Sequence, residues 1–312
     1  MWAAPQALLR RSHQEAVRVL ARLGDARALP SLLAALDSDV DAWRAIQVAP
    51  YLPQAADELV PRLCDHLRRI DLSQQRTEMS ANAILSALAA LADPAAVPAV
   101  ADTLGAAAHH GQHNITQAAL KALRAFGPAA AGAQDMIRSL TAATNARVRP
   151  EAVAALWAVS GDLAEAMPLL LGLLDDHTSD AAELLGEIGP HASAALPRLR
   201  TLLVHDYDWV RLRCAAGLWE IGGEEEAPAV LDALLRAMAE NPATANHVVT
   251  CLDRMGPLAA PALPLLREQL ALPRRGGRFQ NIDHDEELQR IGRTLIARLD
   301  PPAPGAPTVR TA

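Results

Sequence analysis

The stretch Leu196-Pro197-Arg198-Leu199-Arg200-Thr201-Leu202-Leu203 decides the fold, because its spacing returns along the chain. The pattern Leu-Pro-x-Leu-x-x-x-Leu is matched at Leu29-Pro30 through Leu36, Val60-Pro61 through Leu67 and Val97-Pro98 through Leu104. It is matched again at Met167-Pro168 through Leu174 and Leu263-Pro264 through Leu270. Met136 with Leu140 and Leu231 with Leu235 keep the apolar spacing without the proline, which brings the number of units to about eight. Apolar residues at i and i+4 share one face of a helix. The proline stands early in the pattern, where a missing N–H costs little, so it is expected in the first helical turn.

Between these helices (helix A of each unit) runs a second helical segment (helix B) closed by an apolar residue and a glycine. The closures are Leu23-Gly24, Phe126-Gly127, Ile188-Gly189, Ile221-Gly222 and Met255-Gly256. Glycine there suits a helix end that needs a left-handed residue. Leu52-Pro53 and Leu91-Ala92 hold the equivalent places less regularly. Successive units are spaced by roughly 28 to 40 residues, the period of helix pairs stacked as a solenoid.

Composition agrees. The 312 residues are 51% hydrophobic but only 3% aromatic, so the core is built from Ala, Leu and Val, which suits close-packed helices better than sheets. The formal charge of -7 gives no general attraction to phosphate backbones and argues against a nucleic-acid partner. Lys121 is the single lysine among many arginines, a bias typical of a GC-rich bacterial genome. Cys64, Cys214 and Cys251 lie far apart in apolar segments and indicate neither a disulfide framework nor zinc. The longest uncharged stretches, such as Ala81 to Ala92, are too short for a membrane span. A soluble, cytoplasmic protein, monomeric on its own, is expected.

Units such as Ala26 to Leu52 and Ala192 to Gly222, with Val210-Arg211 after the turn Asp206-Tyr207-Asp208, resemble HEAT repeats of the phycobilin-lyase-like subgroup. The resemblance implies an all-α fold, a right-handed α-solenoid (armadillo/HEAT-like superhelix) of about eight helix pairs, with A helices convex and B helices concave. It covers residues 12–299 and leaves residues 1–11 as an N-terminal extension or cap, with Trp2, Leu8 and Leu9 either capping the first helix or docking on a partner subunit. Residues 300–312 form a Pro-rich tail expected to be disordered.

Registering the B helices on their last apolar residue yields one row, Ala89, Arg124, Trp157, Gly186, Trp219 and Asp253, placed about opposite the buried face. Trp157 and Trp219 would then flank a notch at Gly186, with Arg124, Glu183 and Asp253 orienting a protein or peptide partner; the competing view is that the indoles fill space between B helices. A second candidate surface is the edge of the turns within units. Insertions at Ile70 to Met79, Ala106 to Asn114 and Leu272 to Glu286 fall there, together with His109, His110, His113, His177, His205 and His284. Asp39, Asp208 and Asp283 are placed to cap the following helices. Arg274, Arg275 and Arg278 form the most concentrated positive segment, suited to an acidic or phosphate-bearing partner.

Enzymatic signatures are weak. His109 and His113 have i, i+4 spacing but lie in a loop-like stretch with no third metal ligand. Cys64 and His66 are two apart on a helix and point in different directions. The run Glu224-Glu225-Glu226 is explained by the positive end of a helix dipole. No His-Glu dipeptide of the HEAT-repeat hydroxylases and no glycine-rich phosphate loop occurs. No cofactor and no metal is expected. The pattern predicts a non-enzymatic binding scaffold, with a DNA-glycosylase-like or a bilin-lyase-like protein as the alternatives.

Overall fold

The computed structural model describes residues 5–74, 77–272 and 282–300, and among them every regular element is helical, with no strand. The chain divides into two compact units, Met1–Leu169 and Leu170–Ala312. Among the described residues no helix is long and apolar enough to cross a membrane.

All eight repeat segments are helices. They are α2 (Leu29–Ser38), α4 (Ala56–Arg68), α6 (Val97–His109), α8 (Gln134–Leu140), α10 (Leu163–Asp176), α12 (Leu196–Leu202), α14 (Ala227–Glu240) and α16 (Leu263–Ala271). The partners that alternate with them are α1 (Pro5–Arg22), α3 (Ala42–Val48), α5 (Glu78–Leu91), α7 (His113–Phe126) and α9 (Val148–Ser160) in the first unit. The second unit has α11 (Thr178–Ile188), α13 (Asp208–Gly222), α15 (Ala245–Met255) and α17 (Ile282–Leu299). Odd-numbered helices pack side by side within each unit, α3 on α5 on α7 on α9 in the first and α11 on α13 on α15 on α17 in the second. Helix α1 begins at Pro5, inside the segment expected to be an extension. Trp2, the side chains of Leu8 and Leu9 and the tail from Pro301 lie outside the described residues.

The core follows the repeat. Three residues before the last core residue of α5, α7, α9, α11, α13 and α15 stands a leucine with no exposed surface: Leu88, Leu123 and Leu156 in the first unit, Leu185, Leu218 and Leu252 in the second. Full burial of such a side chain contributes about 1.5–3 kcal/mol relative to exposure, so the period that places it is also what holds the helix down.

Local signals are obeyed with two displacements. Pro30, Pro98, Pro197 and Pro264 sit in the first turn of their helices. Pro61 and Pro168 instead stand inside α4 and α10, because these helices begin about a turn earlier. Asp57 and Glu58 in the added turn of α4 favour that start by facing the positive end of the helix dipole. Gly24, Gly127, Gly189 and Gly256 have positive φ, but at Gly127, Gly189 and Gly256 ψ lies between -129° and -143°, outside the expected left-handed helical region and in one open to glycine because it lacks a Cβ. Past Ile221 the role passes from Gly222 to Gly223 (φ 61°). Gly222 stays helical, and a Cβ there would come within 2.5 Å of Glu226 Cγ. Ala92 makes a left-handed helical exit without glycine (φ 52°, ψ 28°).

The expected aspartate caps are elsewhere. Asp39 closes α2 with φ 60°, Asp208 is the first residue of α13, and Asp283 lies in the first turn of α17. Asp25, Asp93 and Asp162, all entering A helices, accept the backbone N–H two residues on, while Asp208 accepts only the adjacent Trp209 N–H. At Asp25 the neighbouring Arg27 guanidinium holds the carboxyl down to about 2.

Candidate functional site

In the second unit the odd helices enclose a groove of about 620 Å³, reaching from α11 through α13 and α15 to α17. Its surface is built at a regular register. Counting back from the last core residue (Ile188, Ile221 or Met255), the groove takes the residue one place before, which is Glu187, Glu220 and Arg254, and five places before, which is Glu183, Ala216 and Thr250. One more turn back it takes Arg213 and His247. Steps of four and three residues keep these side chains on one helix face.

The groove is threaded by ion pairs between successive helices. Arg213 of α13 meets Glu183 of α11 at 3.0 Å, and Arg254 of α15 meets Glu220 of α13 at 2.8 Å. At the far end Asn246, buried in α15, donates to the His284 carbonyl of α17 at 2.7 Å and lies 3.5 Å from the Glu287 carboxylate. The His247 ring meets Trp209 edge-on, with centroids 5.3 Å apart. Cys251 lies at the bottom, 5% exposed, and burial pushes its thiol up to about 12. A thiol so far above neutrality is a poor nucleophile.

The floor narrows where α11 crosses α13. A Cβ on Gly217 would stand 2.7 Å from the Ala182 carbonyl oxygen, and one on Gly186 would stand 3.3 Å from the Gly217 Cα. The two glycines therefore let the backbones touch. Gly186 is in that place because a neighbouring helix occupies the space a side chain would need.

The same contact explains the row found in the sequence. Ala89, Arg124, Trp157, Gly186, Trp219 and Asp253 are all half-buried, and each follows its buried leucine by one residue. The row turns toward the next odd helix within each unit: Arg124 of α7 reaches Glu151 of α9 at 3.8 Å, Gly186 meets α13, and Asp253 of α15 pairs with Arg298 of α17 at 2.8 Å. By this register Trp219 stands on the flank of α13 toward α15, and it does not line the groove. Trp157 belongs to the first unit and Trp219 to the second. Of the residues singled out from sequence, Glu183 and Gly186 line the groove; Arg274, Arg275 and Arg278 lie outside the described residues. The groove-facing residues Arg213, Glu220 and Arg254 were missed, although Glu220 and Arg254 stand one residue after Trp219 and Asp253 of the row.

The histidines of the turn edge are placed as follows among the described residues. His109 ends α6 and His113 begins α7, so their i, i+4 spacing does not place them on one helix. Among the described residues no group of three or more His, Cys, Asp or Glu could hold a metal. Cys64 is buried, which raises its thiol, while the His66 ring nitrogen Nε2 lies 2.8 Å from the Leu36 carbonyl oxygen. Glu226 does more than answer a helix dipole: it is buried and paired with Arg200 of α12.

The fold and groove define an all-α protein of paired helices with a charged, side-chain-lined recess. No family model matches the chain, and no curated protein matches it. The crystal structure of an engineered protein, from a structural genomics consortium, aligns over 93% of this chain and 95% of that chain, at 16% identity and a TM-score of 0.39. At that level neither a shared fold nor a shared function follows.

Proposed function

We propose that this chain is a HEAT-like, non-enzymatic scaffold that holds a segment of another protein in the groove across α11, α13, α15 and α17. The observation that carries the proposal is the groove itself: a 620 Å³ recess formed by four helices, whose lining side chains recur at one register. A recess that crosses several helices suits an extended segment, and a preformed surface asks for little backbone ordering on binding. The repeated proline and glycine signals, and the alternation of A and B helices, support the HEAT-like assignment.

The chemistry of the lining favours binding over reaction. Glu183 and Glu220 are engaged with arginines, and the Cys251 thiol stays protonated near neutral pH. Carboxylates on three of the four helices also oppose a phosphate backbone, which disfavours the nucleic-acid alternative.

The test fills the recess. Ala216, half-buried on the groove side of α13, is replaced by tryptophan in the full chain, with helicity checked by circular dichroism. Partner capture from cell extract is expected with the wild-type protein and lost with Ala216→Trp. Capture that survives the substitution, or enrichment of nucleic acid in place of protein, would overturn the assignment.

A further inference from the structure

In the first unit a cavity of about 670 Å³ opens between α1, α2 and α3. Its apolar walls are Val17 of α1, Leu32 and Ala35 of α2, Val40 of the turn, and Ala45 and Val48 of α3. It lies where α1 contributes less to the core than its counterparts. Six residues before the closing residue, α5 and α7 carry Leu85 and Leu120, both without exposed surface. Helix α1, closed by an exposed Leu23, carries the smaller, half-buried Val17 at that place. The turn from α2 to α3 shapes the opening. Asp39 and Asp41 both take the left-handed conformation (φ 60° and 62°), which aspartate tolerates better than most side chains. Between them Val40 lines the cavity while 66% exposed.

The polar groups around these walls are matched to one another. Arg18 pairs with Glu15, and Arg44 lies 3.9 Å from Asp41. Gln14 donates to Asp41 and accepts from Arg44, the Ser38 hydroxyl donates to the Ala34 carbonyl at 2.7 Å, and the Ser31 hydroxyl stands 3.5 Å from His13. Two carboxylates and two guanidiniums thus balance, and a charged ligand would meet no unpaired one.

We infer that this cavity is a binding site for an uncharged, aliphatic small molecule, of the class of medium-chain alcohols. The inference is independent of the groove, which belongs to the other unit. The volume falls within the range of small-molecule sites, about 300–1,000 Å³. No aromatic ring lines the walls, so a flat ring finds no stacking partner and binding draws on burial of aliphatic surface. An extended peptide would bring backbone N–H and C=O groups against aliphatic walls at the cost of their hydration. Along α2 the lining runs from Ser31 to Ser38, about 10 Å at the helical rise, the reach of roughly eight methylenes.

The experiment titrates the full chain with n-hexanol, n-heptanol and n-octanol, with octanoate and octylammonium as charged counterparts, and reads binding by ligand-observed NMR. Affinity for the alcohols is expected to rise about fourfold per added methylene, and both ions should bind roughly tenfold more weakly than n-octanol. Ala35→Phe, which fills the cavity from α2, should abolish n-octanol binding at an unchanged or raised melting temperature. Val40→Ser alters an exposed side chain, leaves the fold intact and should weaken n-octanol about fivefold; it decides alone should Ala35→Phe not fold. Ala216→Trp, in the second unit, should leave the titration unchanged. The inference is overturned by an absent n-octanol response, by affinity independent of chain length, or by an ion that binds as tightly as the alcohol. It is overturned equally if a folded Ala35→Phe or Val40→Ser protein binds n-octanol as the wild type does, or if Ala216→Trp removes the binding.

Discussion

The two units use the same helix register and present different surfaces on it. One residue before the last core position, the first unit carries Ala90, Ala125 and Ala158, whereas the second carries Glu187, Glu220 and Arg254. Four places earlier the first unit has Ser86, Lys121 and Ala154, the second Glu183, Ala216 and Thr250. The leucines beneath are equally buried in both. The difference teaches that holding the helices together and furnishing a surface are separable tasks here. The buried leucine is common to all six helices, and the neighbouring position is free to carry function.

A change at the shared position should strike both units alike. Leu123→Ala in α7 and Leu185→Ala in α11 each remove a fully buried side chain. Each is expected to lower stability by about 2–5 kcal/mol, read from denaturant unfolding. A loss confined to one of the two variants would break the equivalence of the units.

The next effect belongs to the second unit alone. Four places before the last core residue, the first unit has Ala87, Ala122 and Ala155, all without exposed surface, where α13 has Gly217. Gly217→Ala installs the residue its counterparts carry. Helix propensity would favour the change by about 1 kcal/mol. The Ala182 carbonyl 2.7 Å from the new Cβ is backbone and must move, so the net outcome is a loss of about 1–3 kcal/mol. Thermal unfolding checks the sign, and a stabilised variant would show that the close crossing is not under constraint.

The smallest effect sharpens the surface side of the comparison. Ala90→Glu with Ala125→Glu writes acidic residues onto exposed positions of the first unit at the register used by the groove. Stability should change by less than about 0.5 kcal/mol per site, since surface positions away from special features tolerate exchange. A large drop in the melting temperature would mean that those alanines are packing residues.

Much of the helix pattern was legible because it is local. All eight A segments, the positive-φ exits at Gly127, Gly189 and Gly256, and the buried closing residues Phe126, Ile188, Ile221 and Met255 follow from spacing within one helix and its turn, whereas Leu23, read as closing its helix the same way before Gly24, is 76% exposed. Pro61 and Pro168 were misplaced because a proline tolerated in a first turn is also tolerated one turn later when packing holds the helix, at the loss of one backbone hydrogen bond. Asp39 and Asp208 were expected as caps from the turn composition, but the turns enter α3 and α13 with other backbone geometry.

The site was legible in part. Glu183 and Gly186 were singled out and do line the groove, while Trp219 and Asp253 share the row of Gly186 and do not. Gly186 and Trp219 hold the same register on successive helices, so periodicity alone does not separate the two outcomes. Periodicity within a sequence determined which face of each helix is buried, because burial of a leucine is decided by the helix that carries it and the partner it must cover. Which of the remaining faces looks across to a neighbour and which looks into open space depends on how closely adjacent helices approach. That approach is set by contacts between residues far apart in the chain, such as Gly217 against the Ala182 carbonyl and Arg254 against Glu220, and only the tertiary structure brings them together.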